Sequence, residues 1–171
     1  KVLPLQDGVT LAAGMTVVFT KQGPLFLADT ALNIQPNTKE LAEIARLAAD
    51  QVRSFGIEPR VAMLSFANFG AVRHRDCQKM AAATALVRAR EPDLMIEGEV
   101  QVDLAVDMDL RDRTFPWSRL TEAANTFIFP NLASANIAYK MLHQVGGASI
   151  FGPALLGMRR PVNILAFNSD A

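Results

Sequence analysis

The sequence predicts an α/β protein in which helices cover both faces of a mostly parallel sheet, a three-layer α/β/α arrangement. Three observations carry this. First, the stretch from Arg60 to Gly70 opens after Pro59 as an unbroken apolar run and ends abruptly in small and polar residues. A run without alternation fits a strand buried on both faces, and such strands belong to parallel sheets. Second, β-prone runs alternate with helical periodicity along the chain. Third, 171 residues, half of them hydrophobic, suffice for one core and not for two.

Taken in order, residues 1–13 contain Pro4 and Gly8, lack a clear period and read as a lead-in segment to a single unit over 14–171. Met15–Thr20 and Leu25–Ala28 are short β-prone runs joined by Lys21-Gln22-Gly23-Pro24, which is hairpin chemistry, so the sheet begins antiparallel. Asn37 followed by Glu40 forms a capping-box pattern, and Leu41, Ile44, Ala45, Ala48 and Val52 repeat at helical spacing up to Gly56. After the strand from Arg60, a polar turn leads to a helix over 78–90 with Met80, Ala83, Thr84 and Val87 on one side, stopped by Glu91-Pro92. Asp93–Ile96 reads as a short strand, 102–110 as a helix and 111–120 as irregular. Asn125–Phe129 is an apolar strand stopped by Pro130. The segment 131–145 reads as a helix with a buried stripe of Ile137, Ala138, Met141, Leu142 and Val145, ended by Gly146-Gly147. Residues 150–156 are ambiguous, and 162–167 read as a last strand.

Lys plus Arg equals Asp plus Glu at 17 each, which gives no global electrostatic reason to bind nucleic acid or an anionic membrane. The single cysteine, Cys77, excludes an internal disulfide, and no Cys or His spacing matches a zinc site. No apolar run approaches the length of a membrane span, and no secretory signal is visible, so a cytoplasmic location is expected.

Ligands of parallel sheets gather at the carboxyl ends of strands, which singles out Ser65, Asn68 and Gly70. Glu97 and Glu99 flank Gly98 at another strand end. They suit acid–base work in a cleft but lack an evident partner, and the reading preferred here is of charged residues closing a loop. Asp103, Asp107, Asp109 and Asp112 lack the glycine and alternating oxygen ligands of a calcium loop and read as the wet face of a helix. His74, Asp76 and Cys77 lie close together without a third partner, and no Gly-rich phosphate fingerprint is present. No metal site is expected.

Several segments together resemble the phosphate acetyltransferase and butyryltransferase family. They are Phe26–Asn33, Glu40–Ala45, Gly56–Ser65, Pro92–Glu99, Ala124–Leu132, Asn136–Lys140 and Gly152–Gly157 with Pro161-Val162-Asn163, in the family's order and covering nearly everything from Gly14 onward. The resemblance implies one subdomain of a two-lobed domain with isocitrate and isopropylmalate dehydrogenase-like topology. It also implies an acyl-CoA cleft between the lobes, a homodimer or higher homo-oligomer, and no nucleic-acid or membrane partner. The turn Ser65–Gly70 and the segment Phe115-Pro116-Trp117-Ser118-Arg119-Leu120 resemble the version of the domain fused to bacterial NADP-dependent malic enzymes.

In acetyltransferases of the family the strand Pro-Val-Asn-x-Leu is followed by Ser-Arg, the serine assisting thiolate attack and the arginine neutralising phosphate. Here Ala166 and Phe167 follow, and neither side chain can donate a hydrogen bond or carry charge. The resemblance therefore implies a domain that binds acetyl-CoA as a regulatory signal without turning it over, with no catalytic residue and no cofactor of its own. NADP and a divalent metal are expected only on a malic-enzyme domain outside this chain. Ser65, Asn68, Gly70, Asn136 and Lys140 are the residues it places near the acyl-CoA, with a dimer or helix-face role open for Asn136 and a surface role for Lys140. Two other functions stay open: a phosphate acetyltransferase making acetyl phosphate and CoA, and a structural domain that only oligomerises.

Overall fold

A computed structural model describes residues 3–164. Its centre is a six-stranded sheet in the order β4-β3-β5-β2-β1-β6. The strands are β1 (Ala13–Thr20), β2 (Gly23–Ala28), β3 (Arg60–Leu64), β4 (Met95–Val100), β5 (Thr126–Ile128) and β6 (Ser149–Leu156). The pairs β4–β3, β3–β5 and β5–β2 are parallel, whereas β1 runs against both β2 and β6. Five strands therefore share one direction and β1 alone opposes it, as the early hairpin required. The turn is tighter than expected, with Thr20 already paired to Gly23.

Alternation along the strands sorts their side chains onto two faces. Val17, Phe26, Val61, Met63, Ile96 and Ile128 point to one face, beneath α1 (Thr38–Ser54) and α2 (Arg75–Arg90). Val18, Leu27, Ala62, Leu64, Val100 and Phe127 point to the other, where they meet Leu104 and Ala105 of α3 (Val102–Val106), Leu110 of α4 (Met108–Thr114) and Tyr139 of α5 (Leu132–Gln144). Helix α1 begins as its sequence dictates: the Asn37 carboxamide oxygen accepts from the amides of Lys39 and Glu40, and Glu40 accepts in return from the Asn37 amide at 2.8 Å.

Four expectations are corrected. The helix foreseen over 102–110 is two short helices, because the Asp107 carboxylate caps the second by accepting from the Leu110 amide. Consequently Arg111–Thr114 is helical rather than irregular. Glu97, Gly98 and Glu99 lie within β4 instead of closing a loop after it, and both carboxylates are buried. The stripe on α5 is not covered: Ile137 and Met141 are each 58% exposed and Val145 81%, and Ala135 is the buried residue of that helix. Amphipathic spacing identified an apolar face, and among the described residues no element lies over it. The ambiguous segment 150–156 belongs to β6; of the last strand expected over 162–167, Asn163 makes an isolated bridge to Ala154, Val162 and Ile164 lie outside any strand, and Leu165–Phe167 fall outside the described residues.

Candidate functional site

The five strands that share a direction present their carboxyl ends along one edge, and the loops leaving them form the site. At the β3 end, residues 65–70 are tied to β4 and the residue after it. The Ser65 amide donates to the Val100 carbonyl and the Phe69 amide to the Glu99 carbonyl, each at 2.9 Å. Asn68 and Gln101 exchange two bonds of 2.6 Å: the Gln101 amide donates to Asn68 Oδ1, and Asn68 Nδ2 donates to Gln101 Oε1. Gln101 Nε2 also donates to the Phe66 carbonyl at 3.0 Å. The Gly70 amide donates to Glu99 Oε1 at 2.6 Å. Phe69 stands at φ 47° and Gly70 at φ 80°, so the turn occupies left-handed backbone that glycine accepts and phenylalanine resists.

Glu97, buried on the same strand, anchors the neighbouring loop. One carboxylate oxygen pairs with the Arg88 guanidinium, and the other accepts from the Arg119 amide at 2.7 Å and the Ser118 hydroxyl at 3.3 Å. The two glutamates therefore hold loops in place, and both carboxylates are engaged by donors. Buried polar groups demand such partners. The sequence showed both carboxylates, but apart from the adjacent Gly98 amide their donors come from residues 70, 88, 118 and 119, which no local pattern links to them.

Of the expected ligand residues, Ser65, Asn68 and Gly70 are brought together on one turn. Ser65 donates to the Sγ of buried Cys77 at 3.4 Å, and the Asn68 carboxamide is occupied by Gln101, a partner the sequence reading missed. Asn136 and Lys140 lie on α5: Asn136 Nδ2 donates to the Tyr139 hydroxyl at 3.4 Å, and Lys140 Nζ stands 5.8 Å from the Tyr139 ring centre. A groove of about 550 Å³ joins the two regions. Ser65, Phe66 and Val102 form one side, Ser134, Ala138 and Leu142 the other, and Leu27 and Phe127 are part of its lining. Its walls are almost wholly apolar, and Asn136 and Lys140 do not line it.

At the β6 end of the same edge, a second cavity of about 330 Å³ is lined by Pro4, Met158, Arg159, Arg160 and Val162. Arg159 pairs with Asp7. The segment beyond is laid against β6 by bonds from the Leu155 amide to the Val162 carbonyl and from the Ile164 amide to the Pro153 carbonyl. Ala166 and Phe167, which stand where the resemblance places Ser-Arg, lie outside the described residues. Among the described residues no three His, Cys, Asp or Glu side chains are grouped to hold a metal ion, and no helix is long and apolar enough to cross a membrane.

The family model described as phosphate acetyl/butaryl transferase matches residues 1–169. The chain is 42% identical over 161 residues to the NADP-dependent malic enzyme of Escherichia coli K12, covering 94% of this chain and 21% of that protein. It is 34% identical over 171 residues to the phosphate acetyltransferase of Bacillus subtilis 168, covering all of this chain and 53% of that protein. Among solved structures, a phosphotransacetylase from Streptococcus pyogenes superposes with a TM-score of 0.92 at 35% identity, over 98% of this chain and 52% of that one. The chain thus spans about a fifth of that malic enzyme and about half of the Bacillus subtilis and Streptococcus pyogenes proteins.

Proposed function

The chain belongs to the phosphate acetyl/butaryl transferase family, and from that premise we propose that it is a regulatory and oligomerising domain that binds a CoA thioester, acetyl-CoA first among them, without transferring its acyl group. The observation that carries this reading is the pair Ala166-Phe167 directly after Pro161-Val162-Asn163-Ile164-Leu165, at the position where the resemblance to the family's acetyltransferases implies Ser-Arg. Affinity needs a groove and a few donors, whereas turnover needs groups aimed at the charge of the transition state. Ser65, Asn68, Gly70, Asn136 and Lys140 remain the residues assigned to the ligand. The rigid 65–70 turn supports the first three, and the groove beside α5 supports a ligand path between them and the helix.

The likeness to malic enzymes favours acetyl-CoA as a signal to a distant malate-decarboxylating site, one that carries NADP and a divalent metal outside this chain in a cytoplasmic protein. Such coupling requires acetyl-CoA to bind two conformations of the whole protein unequally. The names of several relatives favour a second reading, a working phosphate acetyltransferase. Incubating the chain with acetyl phosphate and CoA separates the two: the regulatory reading expects no thioester formation above the uncatalysed rate, and sustained turnover overturns it.

The oligomeric partner in this reading is a second copy. Ile137 and Met141 stand one turn apart on the exposed face of α5 and Val145 follows at its carboxyl cap, next to a groove floored by the sheet. A ridge beside a groove is self-complementary under two-fold symmetry. Met141→Glu is expected to convert the assembly to monomer in sedimentation velocity while leaving thermal unfolding cooperative. A dimer unchanged by this substitution contradicts the assignment.

A further inference from the structure

Three aromatic rings gather beside the 65–70 turn. Phe69 lies 4.7 Å from Phe115 and 4.6 Å from Trp117, centre to centre, and Phe115 lies 5.7 Å from Trp117, all in tilted or edge-on contact. Phe115 and Phe69 pack partly into the core of the second face, whereas Trp117 is 61% exposed. Trp117 is therefore the ring of the three that solvent reaches most, and an exposed aromatic side chain offers a large apolar surface to a flat partner.

The cluster is built from below. Its Phe69 arm sits in left-handed backbone and is fixed by bonds to the Glu99 carbonyl and, through Gly70, to the Glu99 carboxylate. Its Phe115–Trp117 arm continues into Ser118 and Arg119, both fixed to the Glu97 carboxylate. Two buried acids on adjacent alternate positions of β4 thus hold the two arms against each other. Strained backbone held by several bonds is a feature of ligand-contacting sites.

Along the chain Arg113 and Arg119 flank the aromatic segment and Arg73 and Arg75 follow the Phe69 turn; Arg113 Nε donates to the Asp109 carbonyl at 3.0 Å and Arg75 lies 3.8 Å from Asp76. The guanidinium groups suit the phosphates of a nucleotide.

We propose that the Phe69–Phe115–Trp117 cluster is the platform on which the adenine base of the CoA thioester stacks, with Trp117 as its contact face. This deepens the CoA-thioester reading and rests on it. Base–aromatic stacking is lost when the side chain is cut back to alanine, and an affinity loss of about tenfold is the expected scale.

Trp117 is the sole tryptophan of the chain, so its fluorescence reports on the platform directly. Acetyl-CoA and adenosine 3′,5′-bisphosphate are expected to quench it saturably, and S-acetyl-4′-phosphopantetheine, which lacks the base, is not. By calorimetry Trp117→Ala should weaken acetyl-CoA about tenfold, leave S-acetyl-4′-phosphopantetheine unchanged, and be largely rescued by Trp117→Phe. Acetyl-CoA binding that is indifferent to Trp117→Ala, or equal quenching by the ligand without a base, overturns the platform while leaving the CoA-thioester reading intact. Absence of acetyl-CoA binding to the unsubstituted chain overturns both.

Discussion

Asp29→Ala is expected to lower stability by about 4 kcal/mol, read as a fall of roughly 10 °C in the midpoint of thermal unfolding by circular dichroism. Asp29 leaves β2 at its carboxyl end and is 3% exposed. Its Oδ1 accepts from the amides of Gly14 and Ala31 at 2.8 Å and of Leu32 at 3.1 Å, while Oδ2 accepts from the amide of Asn33 at 2.8 Å and from the Asn33 side chain. That same side chain donates to the Ala12 carbonyl, so one carboxylate organises the start of β1 and the loop after β2 together. Alanine removes the acceptor from five donors at once, and each donor left unpaired in a buried place costs on the order of 1–3 kcal/mol, reduced where relaxation admits water. Asp29→Asn should recover only part of the loss, since one carboxylate oxygen becomes an NH2 facing donors. A change below about 1 kcal/mol would show that the loop repacks without the acid.

Gly98→Ala is expected to cost about 3–4 kcal/mol and, in addition, to loosen both loops that Glu97 and Glu99 hold. Gly98 has φ 152°, and an added Cβ would meet Met63 Cβ at 2.5 Å and the Met63 carbonyl oxygen at 2.7 Å. Neither neighbour can withdraw, because Met63 is fully buried in β3 and paired in register with Gly98 itself. The pairing shifts register directly afterwards, so that Leu64 faces Val100. That irregularity accompanies the burial of both acids in β4. Urea denaturation measures the stability loss, and faster amide exchange at Phe69, Gly70 and Arg119 would register the loosened anchors. Unchanged exchange at those amides would show that the loops are held independently of Gly98.

Much of the fold was legible because its signals are local. Asn37 and Glu40 announce the start of α1, the unbroken run after Pro59 announces a central strand, and Lys21–Pro24 announces a hairpin. Each depends on residues a few positions apart. The site was legible only in part, because its geometry comes from contacts between distant segments. Ser65, Asn68 and Gly70 were placed correctly at a strand end, yet the Asn68 partner is Gln101, thirty-three residues on. Glu97 and Glu99 were visible as a pair, but not the donors that make them anchors. On α5 the spacing of Ile137, Met141 and Val145 specified an apolar face without specifying what covers it, since amphipathicity is the same whether the partner is the chain's own core or another surface. Asp107 shows the converse: its capping chemistry was present in the sequence, but helical periodicity across 102–110 masked it.

Isothermal titration of acetyl-CoA into the chain, with free CoA as the comparison ligand and the acetyl phosphate assay run on the same preparation, tests most directly whether the domain senses acetyl-CoA without turning it over. A sensing domain binds acetyl-CoA saturably, with no acyl transfer to or from phosphate. Absence of binding, or binding accompanied by sustained formation of acetyl phosphate, would contradict it.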